Sequence, residues 1–143
     1  MLVSQILKSK GAEVVDIERH RSIRDAAELM MAHGIGAVLV RDGTGVCGIL
    51  SERDIARGVA AEGESAARAA IETLMSVDVV TCAPTDKTDE LMTLMTNRRI
   101  RHLPVMAGGE LVGMVSIGDI VKARLTELES HSEALQTYIA GSI

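Results

Sequence analysis

The apolar positions of this chain follow one pattern that is written twice. Residues 14–17 read as a short strand, and Ser22-Ile23-Arg24-Asp25 then opens a helix as a capping box. Ala26, Ala27, Leu29, Met30 and His33 continue at helical spacing until Gly34 ends the run. Ala37-Val38-Leu39-Val40 is an unbroken apolar strand. Asp42-Gly43-Thr44-Gly45 is a hairpin turn, and Val46-Cys47-Gly48-Ile49-Leu50 is the returning strand. Ser51-Glu52-Arg53-Asp54 starts the next helix. The second half predicts the same order: a strand over 77–81, a helix over 88–98, strands over 102–105 and 110–115 joined by Ala107-Gly108-Gly109, and a helix from about Ser116. The stretch from Gly58 to Ser65 breaks the pattern and reads as a linker.

A shift of 65 positions aligns 14–55 with 79–120 without a gap, and 11 of those 42 positions are identical. Each copy is therefore a β-α-β-β-α unit. A lone unit of this size leaves one sheet face open and is marginal. Two copies packed with pseudo-twofold symmetry close it and create two equivalent clefts at their seam. The expected fold is α+β (α/β in the order of its elements), with one repeat over 1–62, a second over 63–128 and a helical extension over 129–143. Residues 119–140 form one long helix. On it Val121, Leu125, Leu128, Leu135 and Ile139 make a heptad-like stripe, either core or a homodimer face.

Composition narrows the function. The chain has no Phe or Trp and a single Tyr, Tyr138, so aliphatic residues and eight Met fill the core. Met30, Met31, Met92 and Met95 lie on helix faces as core filler. Stacking platforms for single-stranded nucleic acid are excluded by the same absence, and the net charge of −5 speaks against duplex binding. Cys47 and Cys82 stand alone in apolar stretches, as buried free thiols, and the four His (His20 and His131 at the surface) show no metal-ligand spacing. No stretch approaches a membrane span, no signal peptide is evident, and a reducing cytoplasm is expected. No nucleophile–base set, acid–base pair or P-loop suggests an enzyme.

Candidate chemistry sits in two octets, Gly48-Ile49-Leu50-Ser51-Glu52-Arg53-Asp54-Ile55 and Gly113-Met114-Val115-Ser116-Ile117-Gly118-Asp119-Ile120. Both place Ser-x-x-Asp at a strand-to-helix junction. The free N–H groups and positive dipole end of such a junction suit a phosphate, and a carboxylate there accepts hydrogen bonds from a ribose diol. The same spacing is also a plain helix cap, as Ser22 and Asp25 illustrate.

With the octets, His33-Gly34-Ile35-Gly36-Ala37-Val38-Leu39-Val40 and Arg101-His102-Leu103-Pro104-Val105 complete a resemblance to the CBS (cystathionine-β-synthase-type) repeat. The pair, over about residues 1–128, resembles a Bateman module of the short bacterial stand-alone kind. The resemblance implies a regulatory module for an adenine nucleotide (AMP, ADP, ATP) or NAD(H), without metal, and a homodimer built by module packing. It assigns ribose to Asp54 and Asp119, phosphate to Ser51 and Ser116, and the adenine edge to Ile35, Gly36, Ala37, His102, Leu103 and Pro104. Val15, Val80 and Ile100 would sandwich the ring. The copies differ in charge. Arg98, Arg99, Arg101 and His102 stand where the first has His33, Gly34, Gly36 and Ala37. Arg53 faces Gly118, and Arg57 faces Lys122. Basic residues, Arg101 and His102 foremost, are thus expected at a phosphate. The alternative is a ligand-free dimerisation scaffold for a regulated partner protein.

Overall fold

A computed structural model describes residues 1–43 and 45–141. The chain divides into two compact units. One is contiguous, over Val14–Val79, and the other combines Met1–Glu13 with Val80–Ile143. This division differs from the sequence repeats, because the segment before each repeat packs against the opposite one.

In the contiguous unit, β1 (Asp16–Glu18) runs parallel to β2 (Ala37–Asp42), which pairs antiparallel with β3 (Gly45–Ser51). β1 starts two residues later than the hydrophobic pattern suggests; Arg41 holds it through ion pairs to Asp16 (2.9 Å) and Glu18 (3.3 Å). The hairpin closes with Asp42 opposite Gly45 and Gly43 at φ 65°; Thr44 lies outside the described residues. Helix α2 (Ile23–His33) begins as its sequence requires. Ser22 Oγ accepts the Asp25 N–H at 3.0 Å, and Asp25 Oδ2 accepts the Ser22 N–H at 3.3 Å. It ends on Gly34 in the left-handed region. Helix α3 (Glu52–Glu62) follows β3. The core is Ile17, Ile23, Ala26, Met30, Val38, Val40, Leu50 and Ile71.

The linker expected over Gly58 to Ser65 is not one. Gly58 sits inside α3, buried against the Leu74 side chain, and a 3-10 segment, Gly63–Arg68, follows directly. Glycine is there for close packing, not for a break. The chain then returns over its own unit. Ile23 N–H donates to Ala69 O, and Ser76 exchanges backbone bonds with Ile49 at 2.9 and 3.0 Å.

The discontinuous unit repeats the plan with one element changed in origin and one lost. Helix α1 (Val3–Lys10) takes the covering place, its Leu7 side chain against Gly113 much as Met75 lies against Gly48. The Thr88 N–H donates to Met1 O. Helix α4 (Thr88–Arg98), β4 (His102–Ala107), β5 (Glu110–Ser116) and α5 (Ile117–Gly141) complete the unit. The strand expected over 77–81 does not form; only Cys82 bridges to Val105. Two prolines give the reason. In the first unit the Leu39 N–H donates to Val15 O at 3.2 Å and the Arg19 N–H donates to Arg41 O at 3.0 Å, whereas the aligned residues, Pro104 and Pro84, have no N–H to give. The core is Val3, Ile6, Cys82, Leu91, Met95, Leu103, Val105, Val115, Ile120 and Ala123.

Two smaller expectations change, and one alternative left open is decided. Met31 is 84% exposed and fills no core, whereas Met30 and Met95 are buried. Cys47 is only half-buried. The α5 stripe, Val121, Leu125, Leu128, Leu135 and Ile139, is exposed along its whole length and is not core. Of the extension 129–143, Ser142 and Ile143 lie outside the described residues.

Candidate functional site

Both octets form the same corner. At the first, β3 delivers Ser51 to the N-cap of α3. Asp54 Oδ2 accepts the Ser51 N–H at 2.9 Å and its hydroxyl at 3.0 Å, while Ser51 Oγ accepts the Asp54 N–H at 3.2 Å. At the second, Asp119 Oδ2 accepts the Ser116 N–H at 2.9 Å, and Ser116 Oγ accepts the Asp119 N–H at 3.1 Å. Both are complete capping boxes, so the capping reading of Ser-x-x-Asp is satisfied. The adjoining helix N–H groups are also engaged, Glu52 with Gly36 O at 3.0 Å and Ile117 with Arg101 O at 2.8 Å. The junctions therefore offer fewer free N–H donors than the sequence suggested, because the caps and the Gly36 and Arg101 carbonyls take them. Each carboxylate bonds its cap through Oδ2, which leaves Oδ1 outside the box.

Sheet register gathers other candidates at each corner. Ala37 lies opposite Ser51, with Gly36 one residue before it; His102 lies opposite Ser116, with Arg101 one residue before it. Val15 and Ile35 are half-buried against the core of the contiguous unit, and Val80 and Ile100 against that of the other. Ala37 and Pro104 are buried, His102 is half-buried, and Arg53 and Arg101 are exposed. Arg99, the residue aligned with Gly34, closes α4 in the left-handed region at φ 54° and ψ 41°.

The second corner holds a residue that the sequence reading overlooked. Lys10, at the end of α1, donates from Nζ to Asp119 Oδ2 at 2.7 Å and to Met114 O at 3.0 Å. The signal was present: Val3, Ile6, Leu7 and Lys10 are spaced to share one helical face, so a lysine sits on an apolar stripe. Burial alone raises the Asp119 carboxyl, but the bonds from Lys10 and Ser116 outweigh it and hold it below the usual carboxylate range. Among the described residues no group of three or more His, Cys, Asp or Glu is arranged to hold a metal ion.

The duplicated corner is the mark of a known repeat, and the family model of the CBS domain matches residues 3–61 and 71–126. The chain belongs to the CBS-domain family. It is 34% identical over 148 residues to the CBS domain-containing protein CBSX3, mitochondrial, of Arabidopsis thaliana, spanning 97% of this chain and 72% of that protein. The crystal structure of the CBS-domain containing protein ATU1752 from Agrobacterium tumefaciens is 44% identical, with a TM-score of 0.85 over 86% of this chain and 92% of that one. The CBS domain pair of protein MJ0100, solved in complex with 5-methylthioadenosine and S-adenosyl-L-methionine, is 25% identical. Its TM-score is 0.77 over 89% of this chain and 98% of that one. The chain is thus a pair of CBS repeats with a long C-terminal helix. Among its described residues no helix is long and apolar enough to cross a membrane.

Proposed function

We propose that this CBS pair is a regulatory module, without catalytic activity of its own, that binds an adenine nucleotide (AMP, ADP, ATP or NAD(H)) and serves as an energy or redox sensor. The observation that carries this reading is the repeated corner itself, in which a serine hydroxyl and a carboxylate lie within one helical turn. Asp54 and Asp119 keep Oδ1 outside the capping bonds, and that oxygen accepts from a ribose hydroxyl. Ser51 and Ser116, with Arg53 at one corner and Arg101 and His102 at the other, meet phosphate. Ile35, Gly36, Ala37 and Pro104 border the adenine, with Val15, Val80 and Ile100 as its aliphatic walls, and no metal takes part. The adenosine compounds bound to the MJ0100 pair support the ligand class. The two free thiols agree with a reducing compartment, the cytoplasm in our reading.

Thermal shift and calorimetry with AMP, ADP, ATP, NAD+ and NADH test the reading. A ligand at 100 times its dissociation constant adds about 2.7 kcal/mol of stability. Asp54→Ala and Asp119→Ala also remove a cap, so the comparison is the ligand-induced shift in each variant and not its absolute midpoint. Loss of that shift is expected. A panel that shifts nothing in the unmodified chain rejects nucleotide sensing.

The alternative reading is a ligand-free dimerisation scaffold. The exposed α5 stripe, Leu125 at 55% and Leu128 at 58%, suits a second copy of the chain. Dimerisation belongs to both readings, and sedimentation of Leu125→Glu/Leu128→Glu tests it: dissociation supports this face, and an unchanged dimer places the contact elsewhere.

A further inference from the structure

Lys10 makes the two corners chemically unequal. At the first, the Ile49 carbonyl is bonded by the Ser76 backbone N–H at 2.9 Å, and the Asp54 carboxylate is bonded by Ser51. At the second, the aligned carbonyl, Met114 O, and the aligned carboxylate, Asp119, both take the Lys10 ammonium, at 3.0 and 2.7 Å. One cation carried in by α1 thus serves two acceptors that belong to the duplicated repeat. The octets differ in the complementary sense, with Arg53 in the first and Gly118 in the second. The second octet contains no basic residue, and Lys10 supplies the charge from outside it.

The consequence concerns the ligand. A bare carboxylate at ribose distance repels a nucleotide's phosphate, and an ammonium in contact with that carboxylate cancels the repulsion at short range. An ammonium has three donors and Lys10 uses two here, so one N–H remains for an anion. Its side chain is 38% exposed, within reach of solvent. Resting on the nucleotide reading above, we propose that Lys10 makes the Ser116–Asp119 corner selective for adenosine ligands that carry a negative charge, as the phosphate's counter-charge there.

The test isolates this corner with Asp54→Ala in the full chain and compares AMP with adenosine by calorimetry, with Lys10→Met and Lys10→Arg added in turn. Lys10→Met keeps an unbranched stem of similar length and removes the charge. AMP affinity is expected to fall roughly tenfold or more, the loss of a charge-assisted hydrogen bond, with adenosine affinity unchanged. Lys10→Arg should restore most of the AMP preference. Equal weakening of both ligands would reduce Lys10 to a structural prop, and tighter binding of either would make it a competitor for Asp119; each overturns the proposal. Adenosine binding without any preference for AMP in the Asp54→Ala chain defeats the role of Lys10 alone. Failure of adenosine, AMP, ADP, ATP, NAD+ and NADH alike to bind the unmodified chain defeats the nucleotide reading beneath it.

Discussion

Arg99 is the only described non-glycine residue with positive φ, and it occupies the helix end at which the first repeat has Gly34. The two backbones are nearly superimposable in conformation, φ 54° and ψ 41° against φ 62° and ψ 37°. A Cβ in this region costs about 1–2 kcal/mol, and glycine gives back about 0.5–1 kcal/mol through its greater freedom when unfolded. Arg99→Gly should therefore be more stable than Arg99→Ala by about 1 kcal/mol, or about 3 °C for a chain of this size. Comparing glycine with alanine cancels whatever the arginine side chain contributes. The reciprocal change is clean as well. A Cβ at Gly34 meets nothing within 4 Å, so Gly34→Ala should lose about 1 kcal/mol from backbone strain alone. Urea denaturation followed by far-UV circular dichroism suits a chain with no Trp. An alanine variant as stable as the glycine variant at position 99 would refute the strain.

Thr88, aligned with Ile23, is fully buried with Oγ1 unpartnered, so Thr88→Val should gain about 1 kcal/mol in the same assay. Gly48→Ala should cost about 2 kcal/mol, because its Cβ would stand 2.9 Å from the Ser76 carbonyl oxygen and 2.7 Å from Met75 Sδ, and the carbonyl is backbone that cannot swing aside. The Asp119 carboxyl is depressed in the fold, so its contribution is present above its unfolded value of 3.8 and is lost as pH falls through the lower folded value. Asp119→Asn should accordingly flatten the acid limb of the stability curve below about pH 4, by about 0.5–1 kcal/mol for a partly exposed pair. Burial, with Asp86 nearby, pushes the Cys82 thiol up to about 12, so a thiol reagent should label half-buried Cys47 long before Cys82 in the native chain; equal rates would contradict the packing.

The elements with strong local signals were legible in the sequence. The capping boxes at Ser22, Ser51 and Ser116, the stop at Gly34 and the hairpin pairs declare themselves within a few residues. What escaped depends on partners far away in the chain. Gly58 looks like a breaker until Leu74 is seen against it. The first strand of the second repeat has suitable residues, yet it fails for want of two N–H groups, at Pro84 and Pro104. Lys10 acquires meaning only beside Asp119, more than a hundred residues on. At the corners, the residue types were readable and the donor count was not, because the caps use hydrogens that the pattern leaves unassigned.

The placement of α1 bears on the order of folding during synthesis. Residues 14–79 are contiguous and carry a whole core, so that unit can collapse as soon as it has been made. The helix made before it presents Val3, Ile6 and Leu7 to a sheet whose strands are still to be translated, and closing that long loop adds chain entropy to the barrier. Until β5 emerges, these apolar side chains are available to a chaperone. A fragment cut at the repeat boundary would lack them altogether.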